Sequence, residues 1–213
     1  MKDNIYNQRI DYSKNDFLDE NILPNNPFEL FEGWYEIALE KVSSDPNAMI
    51  LGTLKDNKPR ARVVLLKNLD EKGFTYFTNY NSAKVQETNA NENASITFFW
   101  RDLERQIRIE GKVEKVSKKE SDDYFMSRPE GSRIGAWASP QSKEITSRIE
   151  IENAVEEIKN KFIGKEVTRP KNWGGLRLVP NYFEFWQGAS SRLHDRIVYE
   201  LTNGIWKKKR LAP

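Results

Sequence analysis

The spacing of hydrophobic and polar positions divides the start of the chain into a polar arm and a helix. Residues 1–26 are polar and rich in Asn and Asp, which is typical of a flexible N-terminal arm. From Pro27 to Val42, apolar residues such as Phe31 and Tyr35 recur at helical spacing, and Pro27 suits a first helical turn. The pattern therefore predicts an arm followed by one helix.

After this helix the pattern changes to that of β-strands. The apolar runs are short, rich in β-branched and aromatic residues, and separated by turn-forming pairs such as Asp56-Asn57. From Ile107 to Glu114 one face is apolar or glycine and the other is polar. The predicted strands are Ala48–Leu54, Pro59–Lys67, Gly73–Thr78, Ala94–Arg101 and Arg105–Val116.

The second half of the chain mixes helices and strands. Ser117 and Glu120 form a capping-box signature for a helix that Pro129 ends. A loop of small residues is predicted from Gly131 to Ser142, followed by a long amphipathic helix from Ile145 to Phe162. Further strands, with a hairpin turn at Asn203-Gly204, are predicted at Trp173–Val179, Tyr182–Gln187, Ser191–Leu201 and Ile205–Arg210.

Together these elements predict a mostly β fold with flanking helices (α+β). Many short strands whose edges must be covered favour a small barrel. The length of 213 residues fits one domain over residues 27–213, since domains span roughly 100–200 residues.

Composition narrows the possible chemistry. The 38% of hydrophobic and 12% of aromatic residues indicate a globular protein. The absence of cysteine excludes disulfides and thiolate metal sites, and a single histidine, His194, excludes a multi-histidine zinc site within one chain, so no metal is expected. Redox chemistry would need an acquired cofactor.

Charge and hydropathy argue against general binding of nucleic acid and against a membrane span. The net charge of +2 gives no general affinity for nucleic acid, so an anion must be bound by locally arranged cations. No run approaches the roughly 18 apolar residues of a membrane span, and residues 1–16 lack the apolar segment of a secretory signal. We therefore expect a cytoplasmic protein with no membrane partner.

The first of three polar clusters brackets an apolar run. Arg60, Arg62 and Lys67 flank Val63–Leu66. In a regular strand Arg62 and Lys67 would face opposite sides. The cations are then either solvated strand ends or ligands for two different anions.

The second cluster consists of Tyr124, Arg128 and Ser132, which are spaced by four residues and would share one helix face. Pro129 interrupts such a helix, so we expect Ser132 to come from a loop. Hydroxyl and guanidinium groups are good phosphate donors when they converge.

The third cluster contains Arg192, His194 and Arg196. On a strand, alternate positions would place all three on one face, with Leu193 toward the core. Three potential cations in a row repel one another, which favours an anion-binding site. By contrast, Lys207–Arg210 is typical of a solvated terminal strand, with a nucleic-acid patch as the alternative.

These residues closely resemble the pyridoxamine/pyridoxine 5′-phosphate oxidase family, in uninterrupted order from about Pro27 to Pro213. The motif FWQGASSRLHDR followed by a terminal RLAP is highly specific. The resemblance is carried by RVVLLK (62–67), YFTNYNSAK (76–84), QIRIEG (106–111), SRPEGSRIGAWASPQS (127–142), FWQGASSRLHDR (185–196) and RLAP (210–213).

The resemblance implies an FMN-binding split β-barrel that acts as a homodimer, with each active site at the subunit interface. It implies oxidation of pyridoxamine or pyridoxine 5′-phosphate to pyridoxal 5′-phosphate, while O₂ is reduced to H₂O₂. The implied FMN-binding residues are Arg62, Val63, Val64, Leu65, Leu66, Lys67, Phe77, Thr78, Lys84, Gln106, Gln141, Ser142, Trp186 and Arg196.

The substrate positions follow from the same resemblance. Arg192 and His194 are the implied catalytic pair, which would also contact the substrate ring. Lys67, Tyr124, Arg128 and Ser132 would bind the substrate phosphate. Arg9 and Tyr12 match, more weakly, an N-terminal segment that closes over the substrate, which would make the arm a lid.

At one position the chain departs from the family's pattern, and two other functions remain as alternatives. Family members commonly carry Arg where this chain has Ala83, so we expect weaker retention of FMN. The first alternative is another FMN-binding split-barrel protein, such as a flavin reductase. The second is a binder of single-stranded nucleic acid that stacks bases on the aromatic residues Phe98, Phe99 and Trp100.

Overall fold

The computed structural model describes residues 11–213, which form nine β-strands and five α-helices. The first half contains α1 (Pro27–Lys41), β1 (Ala48–Lys55), β2 (Lys58–Leu65), β3 (Asn68–Asp70), β4 (Gly73–Asn79), α2 (Ala83–Ala90), β5 (Asn93–Trp100) and β6 (Arg105–Lys115). The second half contains α3 (Lys118–Ser127), α4 (Glu130–Ala138), α5 (Arg148–Lys161), β7 (Trp173–Gln187), β8 (Asp195–Thr202) and β9 (Ile205–Leu211).

The strands form one sheet in the order β2-β1-β5-β6-β7-β4-β3, and β8 pairs with β7 and β9. The residues group into two compact units. The first contains the described residues up to Ile50, Ser95–Glu110 and Pro180–Pro213. The second contains Leu51–Ala94 and Gly111–Val179. A single domain over residues 27–213 stays a prediction.

Aromatic side chains form the core of the first unit. The Asn26 side chain accepts a hydrogen bond from the Phe28 amide at 3.1 Å and so caps α1. This helix buries Phe31 against Phe98, with ring centroids 5.2 Å apart, and Trp34 against Phe185 at 5.3 Å. Edge-to-face pairs of this kind add about 0.5–1.5 kcal/mol to the gain from burial.

The second unit is built on the antiparallel pair β4 and β7. Phe74 lies opposite Leu178 and Tyr76 opposite Leu176, and all four side chains are buried. Half of the predicted capping box of α3 is confirmed, since the Ser117 hydroxyl accepts a hydrogen bond from the Glu120 amide at 3.0 Å, whereas the Glu120 carboxylate accepts from Arg177.

The loop predicted from Gly131 to Ser142 is wrong, because Glu130–Ala138 is helical. The Pro129 carbonyl accepts hydrogen bonds from the amides of Ser132 and Arg133, at 2.9 and 3.1 Å. Proline is tolerated before a first helical turn, where its missing N–H has no intrahelical partner to lose. Pro129 therefore ends α3 and starts α4, so Ser132 comes from a helix.

Other element boundaries also differ from the prediction. Helix α5 begins at Arg148, not Ile145, and none of its residues is buried. The two strands predicted on either side of Pro180 are one strand, β7. Pro180 lies between the stretch of β7 that pairs with β4 and the stretch that pairs with β8. Helix α2 and strand β3 were not predicted.

The strand predicted from Ser191 is also wrong in its first residues. Ser190–Arg192 forms a 3₁₀ turn, and β8 starts at Asp195. Leu193 does not face the core, since 64% of it is exposed. The hairpin turn at Asn203-Gly204 is confirmed, with φ angles of 53° and 77° that suit Asn and Gly.

Candidate functional site

A cavity of about 530 Å³ lies in the second unit, within the size range of small-molecule sites. One wall is apolar and the rest carries hydroxyl, amide and cationic groups. It is lined by Val63, Val64, Leu65, Lys67, Phe77, Thr78, Asn79, Lys84, Tyr124, Arg128, Pro129, Ser132, Gln141 and Trp173.

The apolar wall comes from the end of β2. Val63 is 65% exposed and Leu65 is 39% exposed. This exposure is unusual, because valine and leucine side chains are usually buried in the core. Strand β2 ends at Leu65, so Lys67 follows the strand. The prediction that Arg62 and Lys67 occupy opposite faces of one regular strand is therefore wrong.

An aromatic stack lies beside this wall. The rings of Phe77 and Tyr124 are 3.8 Å apart at 18°, and the ring of Trp173 lies 5.7 Å from Phe77. Gly175 makes room for the stack, because a Cβ there would lie 2.8 Å from the Phe77 ring. The sequence of β7 thus permits a flat aromatic surface next to the cavity.

Arg128 is a partly buried cation above this stack. It caps α3 with an extended backbone, and its guanidinium carbon lies 4.6 Å from the centre of the Trp173 ring. Burial lowers the pKa of Arg128, and its Nη1 is buried without a hydrogen-bond partner in the described part of the chain. A buried donor without a partner is unfavourable, so this group fits an anionic ligand.

Lys84 is the second cation of the cavity. Its Nζ donates to the hydroxyls of Thr78 at 3.1 Å and Ser82 at 3.3 Å. Burial is the largest factor that lowers the pKa of Lys84, and the charge of Arg62 lowers it further. Neither Lys84 nor Arg128 forms an ion pair within residues 11–213, which leaves both charges for a ligand.

Gln141 links two sides of the cavity. Its Oε1 accepts hydrogen bonds from the Thr78 hydroxyl at 3.1 Å and the Asn79 amide at 3.3 Å. The positions of Gln141 and Lys84 are therefore coupled through one hydroxyl group.

The cavity collects most, but not all, of the residues predicted for this unit. All four predicted phosphate ligands of the substrate line it, as do eight of the predicted cofactor residues. Arg62, Leu66 and Ser142 do not: Leu66 is buried, and Arg62 is paired with Glu87. Three further residues line the cavity although the sequence did not predict them: Asn79, Pro129 and Trp173. Nothing in their spacing indicates a binding or catalytic role.

The first unit holds a separate aromatic group around His194. The Trp186 ring lies 4.6 Å from His194, and the Tyr12 ring lies 5.7 Å from Trp186 and 5.9 Å from His194. The Ala189 amide donates to Nδ1 of His194 at 3.1 Å, so this nitrogen carries a lone pair and Nε2 carries the proton of the neutral ring. Gly188 permits the approach of Tyr12, because a Cβ at Gly188 would lie 2.8 Å from the Tyr12 side chain.

The described part of the N-terminal arm, residues 11–26, is bound to the same unit. The Asp195 carboxylate accepts from the Leu18 amide at 2.8 Å, and the Asp16 carbonyl accepts from Gln187 at 2.6 Å. Arg9, the other predicted residue of the lid, lies outside the described residues.

The remaining predicted residues of the first unit are not aligned on one strand face. Arg192 is exposed in the 3₁₀ turn with a φ of 62°, whereas Arg196 lies on β8 and donates to Glu184 at 2.9 Å. The predicted row of three cations is therefore wrong, because the chain leaves the extended conformation before His194. Gln106 is partly exposed on β6.

The stacking surface predicted for single-stranded nucleic acid is also wrong. Phe98 and Trp100 are 0% and 2% exposed, and only Phe99 of the three is accessible, at 50%. Buried rings cannot stack on bases.

Comparison with known proteins assigns the chain to a family. The family model described as "Pyridoxamine 5'-phosphate oxidase" matches residues 36–162. The chain belongs to the pyridoxamine 5′-phosphate oxidase family. A second model, "Pyridoxine 5'-phosphate oxidase C-terminal dimerisation region", matches residues 173–213.

Full-length relatives agree with this assignment. The pyridoxine/pyridoxamine 5′-phosphate oxidases of Pseudomonas paraeruginosa and Microcystis aeruginosa are 49% and 50% identical, over the whole of both chains. A crystal structure of PhzG from Burkholderia lata 383, in complex with tetrahydrophenazine-1-carboxylic acid, has a TM-score of 0.87 at 28% identity. It covers 94% of this chain and 99% of its own.

The comparisons also confirm the predicted fold. A pyridoxamine 5′-phosphate oxidase-related FMN-binding protein from Nostoc punctiforme has a TM-score of 0.69 at 16% identity, over 86% of this chain and 97% of its own. The fold is thus the split β-barrel of the oxidase family. Within residues 11–213, no helix is long and apolar enough to cross a bilayer, and no group of three acidic or histidine side chains is arranged to hold a metal ion.

Proposed function

We propose that this chain is an FMN-dependent oxidase that converts pyridoxamine or pyridoxine 5′-phosphate to pyridoxal 5′-phosphate, with reduction of O₂ to H₂O₂ and, for the pyridoxamine ester, uptake of water and release of ammonia. Family membership makes it an oxidoreductase with FMN as its cofactor. The observation that supports the substrate is the presence in one cavity of two cations, Lys84 and Arg128, that form no ion pair with any described residue and lie beside an aromatic stack.

The residues of the cavity fit FMN. Lys84 is half-buried and forms no ion pair in the described part of the chain, which suits a flavin phosphate, and the Thr78 hydroxyl and Gln141 amide supply further hydrogen-bonding groups. The exposed Val63 and Leu65 side chains offer an apolar edge for a flat ring. When bound, FMN supplies the hydride acceptor, at N5 of the flavin, and the route for electrons to O₂.

Arg128 fits the phosphate of the substrate. A phosphate oxygen would satisfy its unpartnered Nη1, and Tyr124, Ser132 and Lys67 lie in the same cavity wall as further donors. The chain's contribution to catalysis is then mainly to fix the orientation of the substrate, since binding of the phosphate holds the reacting carbon in place.

Arg192 and His194 are proposed to bind and orient the substrate ring. His194 is held by the Ala189 amide and by Trp186, so its ring position is fixed before a ligand binds. The match to a dimerisation region supports a homodimer, and we propose that each active site includes residues of both subunits.

A flavin reductase is the second candidate from the sequence. The structure favours the oxidase over a reductase. A site for flavin alone would need only one set of phosphate ligands, so Arg128 and its buried Nη1 would have no ligand to bind.

The direct test incubates purified protein and FMN in air, in one reaction with pyridoxamine 5′-phosphate and in a parallel reaction with NADH. We expect pyridoxal 5′-phosphate and H₂O₂ to form in equal amounts. Consumption of NADH with FMN and no pyridoxal 5′-phosphate would instead identify a reductase.

A pair of variants tests the role of Arg128. We expect Arg128→Gln to raise the KM for pyridoxamine 5′-phosphate about 10- to 100-fold, the value of one charge-assisted hydrogen bond, while the FMN dissociation constant stays the same. Arg148→Gln is the matched control, because it removes an equal charge from the exposed surface of α5. An unchanged KM in Arg128→Gln would contradict the assignment.

A further inference from the structure

Glu87 is a buried carboxylate on α2, one helical turn after Lys84. It is 6% exposed, and its Oε2 accepts hydrogen bonds from the Thr53 hydroxyl at 2.5 Å and from Nη2 of Arg62 at 2.6 Å. The charge is therefore held inside the second unit next to a residue that the family resemblance assigns to FMN.

These contacts fix the guanidinium of Arg62. Its Nη1 donates to the Thr53 hydroxyl and, at 3.4 Å, to the Leu51 carbonyl, while Nη2 donates to Glu87. A guanidinium has five N–H groups. Within residues 11–213, three of these N–H groups have partners and two have none. A bidentate contact to a phosphate uses two N–H groups.

Glu87 also balances two neighbouring cations. Arg62 lowers the pKa of Lys84 and Glu87 raises it, so the three charges act on one another. Burial alone would raise the pKa of Glu87, but hydrogen bonds from Thr53 and Arg62 outweigh it and lower the pKa below its ordinary value. Glu87 is therefore ionised at neutral pH, and it offsets part of the repulsion between Arg62 and Lys84.

We propose that Glu87 is a positioning residue for the FMN phosphate: it fixes the guanidinium of Arg62, which directly precedes the cavity residue Val63, so that the remaining N–H groups can bind the phosphate. This inference rests on the proposed function, since it takes FMN as the ligand. Glu87 acts through Arg62 and does not itself contact the phosphate.

The test measures binding to the cofactor-free protein by quenching of flavin fluorescence, with FMN and with riboflavin, which lacks the phosphate. We expect Glu87→Ala to weaken FMN binding about tenfold and riboflavin binding less than about twofold, because the lost interaction is with the phosphate. Glu87→Gln keeps a hydrogen-bond acceptor, so we expect a loss of about threefold for FMN. Should Glu87→Ala fail to fold, Glu87→Gln alone carries the comparison of the two ligands.

A double-mutant cycle separates positioning from a general structural role. In an Arg62→Ala background, we expect the substitution of Glu87 to weaken FMN binding much less than in the natural chain, because only its action on Lys84 remains. Glu92→Ala is the control, because Glu92 is an exposed carboxylate that pairs with Lys112. Equal weakening of both ligands, an additive cycle, or tighter FMN binding in Glu87→Ala would each overturn the proposal.

The unmodified protein distinguishes this failure from failure of the proposed function. If it binds neither FMN nor riboflavin, the proposed function is wrong. If it binds FMN and the Glu87 variants bind equally well, the function stands and the role of Glu87 is wrong.

Discussion

Replacing Ala83 by Arg should strengthen the binding of FMN. Ala83 is the first residue of α2, directly before Lys84, and it is exposed. The family resemblance implies Arg at this position, so the natural chain would lack one cation beside the proposed phosphate site.

The magnitude follows from the exposure of the site. A charge-assisted hydrogen bond contributes about 1.5–3 kcal/mol, and the lower end applies because the new side chain would be partly solvated. Since 1.4 kcal/mol is a factor of ten, we expect the FMN dissociation constant to fall about tenfold. Lys84 already has a pKa lowered by burial and by Arg62, so an added cation should also slightly lower the melting temperature of the cofactor-free protein.

The assay is titration of the cofactor-free protein with FMN, followed by flavin fluorescence. Asn89→Arg is the matched control, because it adds the same charge to an exposed position on another face of α2. If Ala83→Arg binds FMN no more tightly than the natural chain, or if Asn89→Arg gives the same gain, the missing contact does not limit cofactor binding.

Three further outcomes are expected. Gly188→Ala should raise the KM for pyridoxamine 5′-phosphate several-fold without changing FMN affinity in a titration, because its Cβ would displace Tyr12. The folded-state pKa of Glu87 is lowered, so its stabilising effect is complete above the unfolded pKa of about 4.3 and is lost as the pH falls through the lower folded value. Melting temperatures of Glu87→Gln and the natural chain should therefore differ at pH 7 and converge in acid. Phe31→Ala should lower the free energy of unfolding by about 3–5 kcal/mol in urea titrations, since Phe31 is fully buried.

The sequence predicts elements well where a local signal decides the structure. The apolar period after Pro27, the capping box at Ser117 and the Asn203-Gly204 turn all correspond to observed features. The prediction is wrong where a helix is rich in small residues. Gly, Ser and Ala between residues 131 and 142 are typical of a loop, yet Pro129 fixes a first turn and Ile134 is buried to hold α4 in place.

The site was predicted largely through the family motifs, because spacing alone could not join its parts. Tyr124, Arg128 and Ser132 are spaced as on one helix, but they come from α3, its cap and α4. Their convergence on one cavity depends on the break at Pro129. Nothing in the sequence indicates a role for Glu87. The helix that carries it has the composition of an ordinary polar surface helix.

The charge balance of the chain explains why structure was needed to locate the anion sites. With 34 basic and 32 acidic residues, composition shows no excess of cations to assign. In the structure, buried cations mostly have carboxylate partners, as Arg177 has Asp70 and Glu120. Lys84 and Arg128 are partly buried without a carboxylate at ion-pair distance among the described residues, and a charge that is not fully compensated is unfavourable unless a ligand supplies its counterion. Because both of them line the cavity, Lys84 and Arg128 mark the places where we propose that phosphate groups bind.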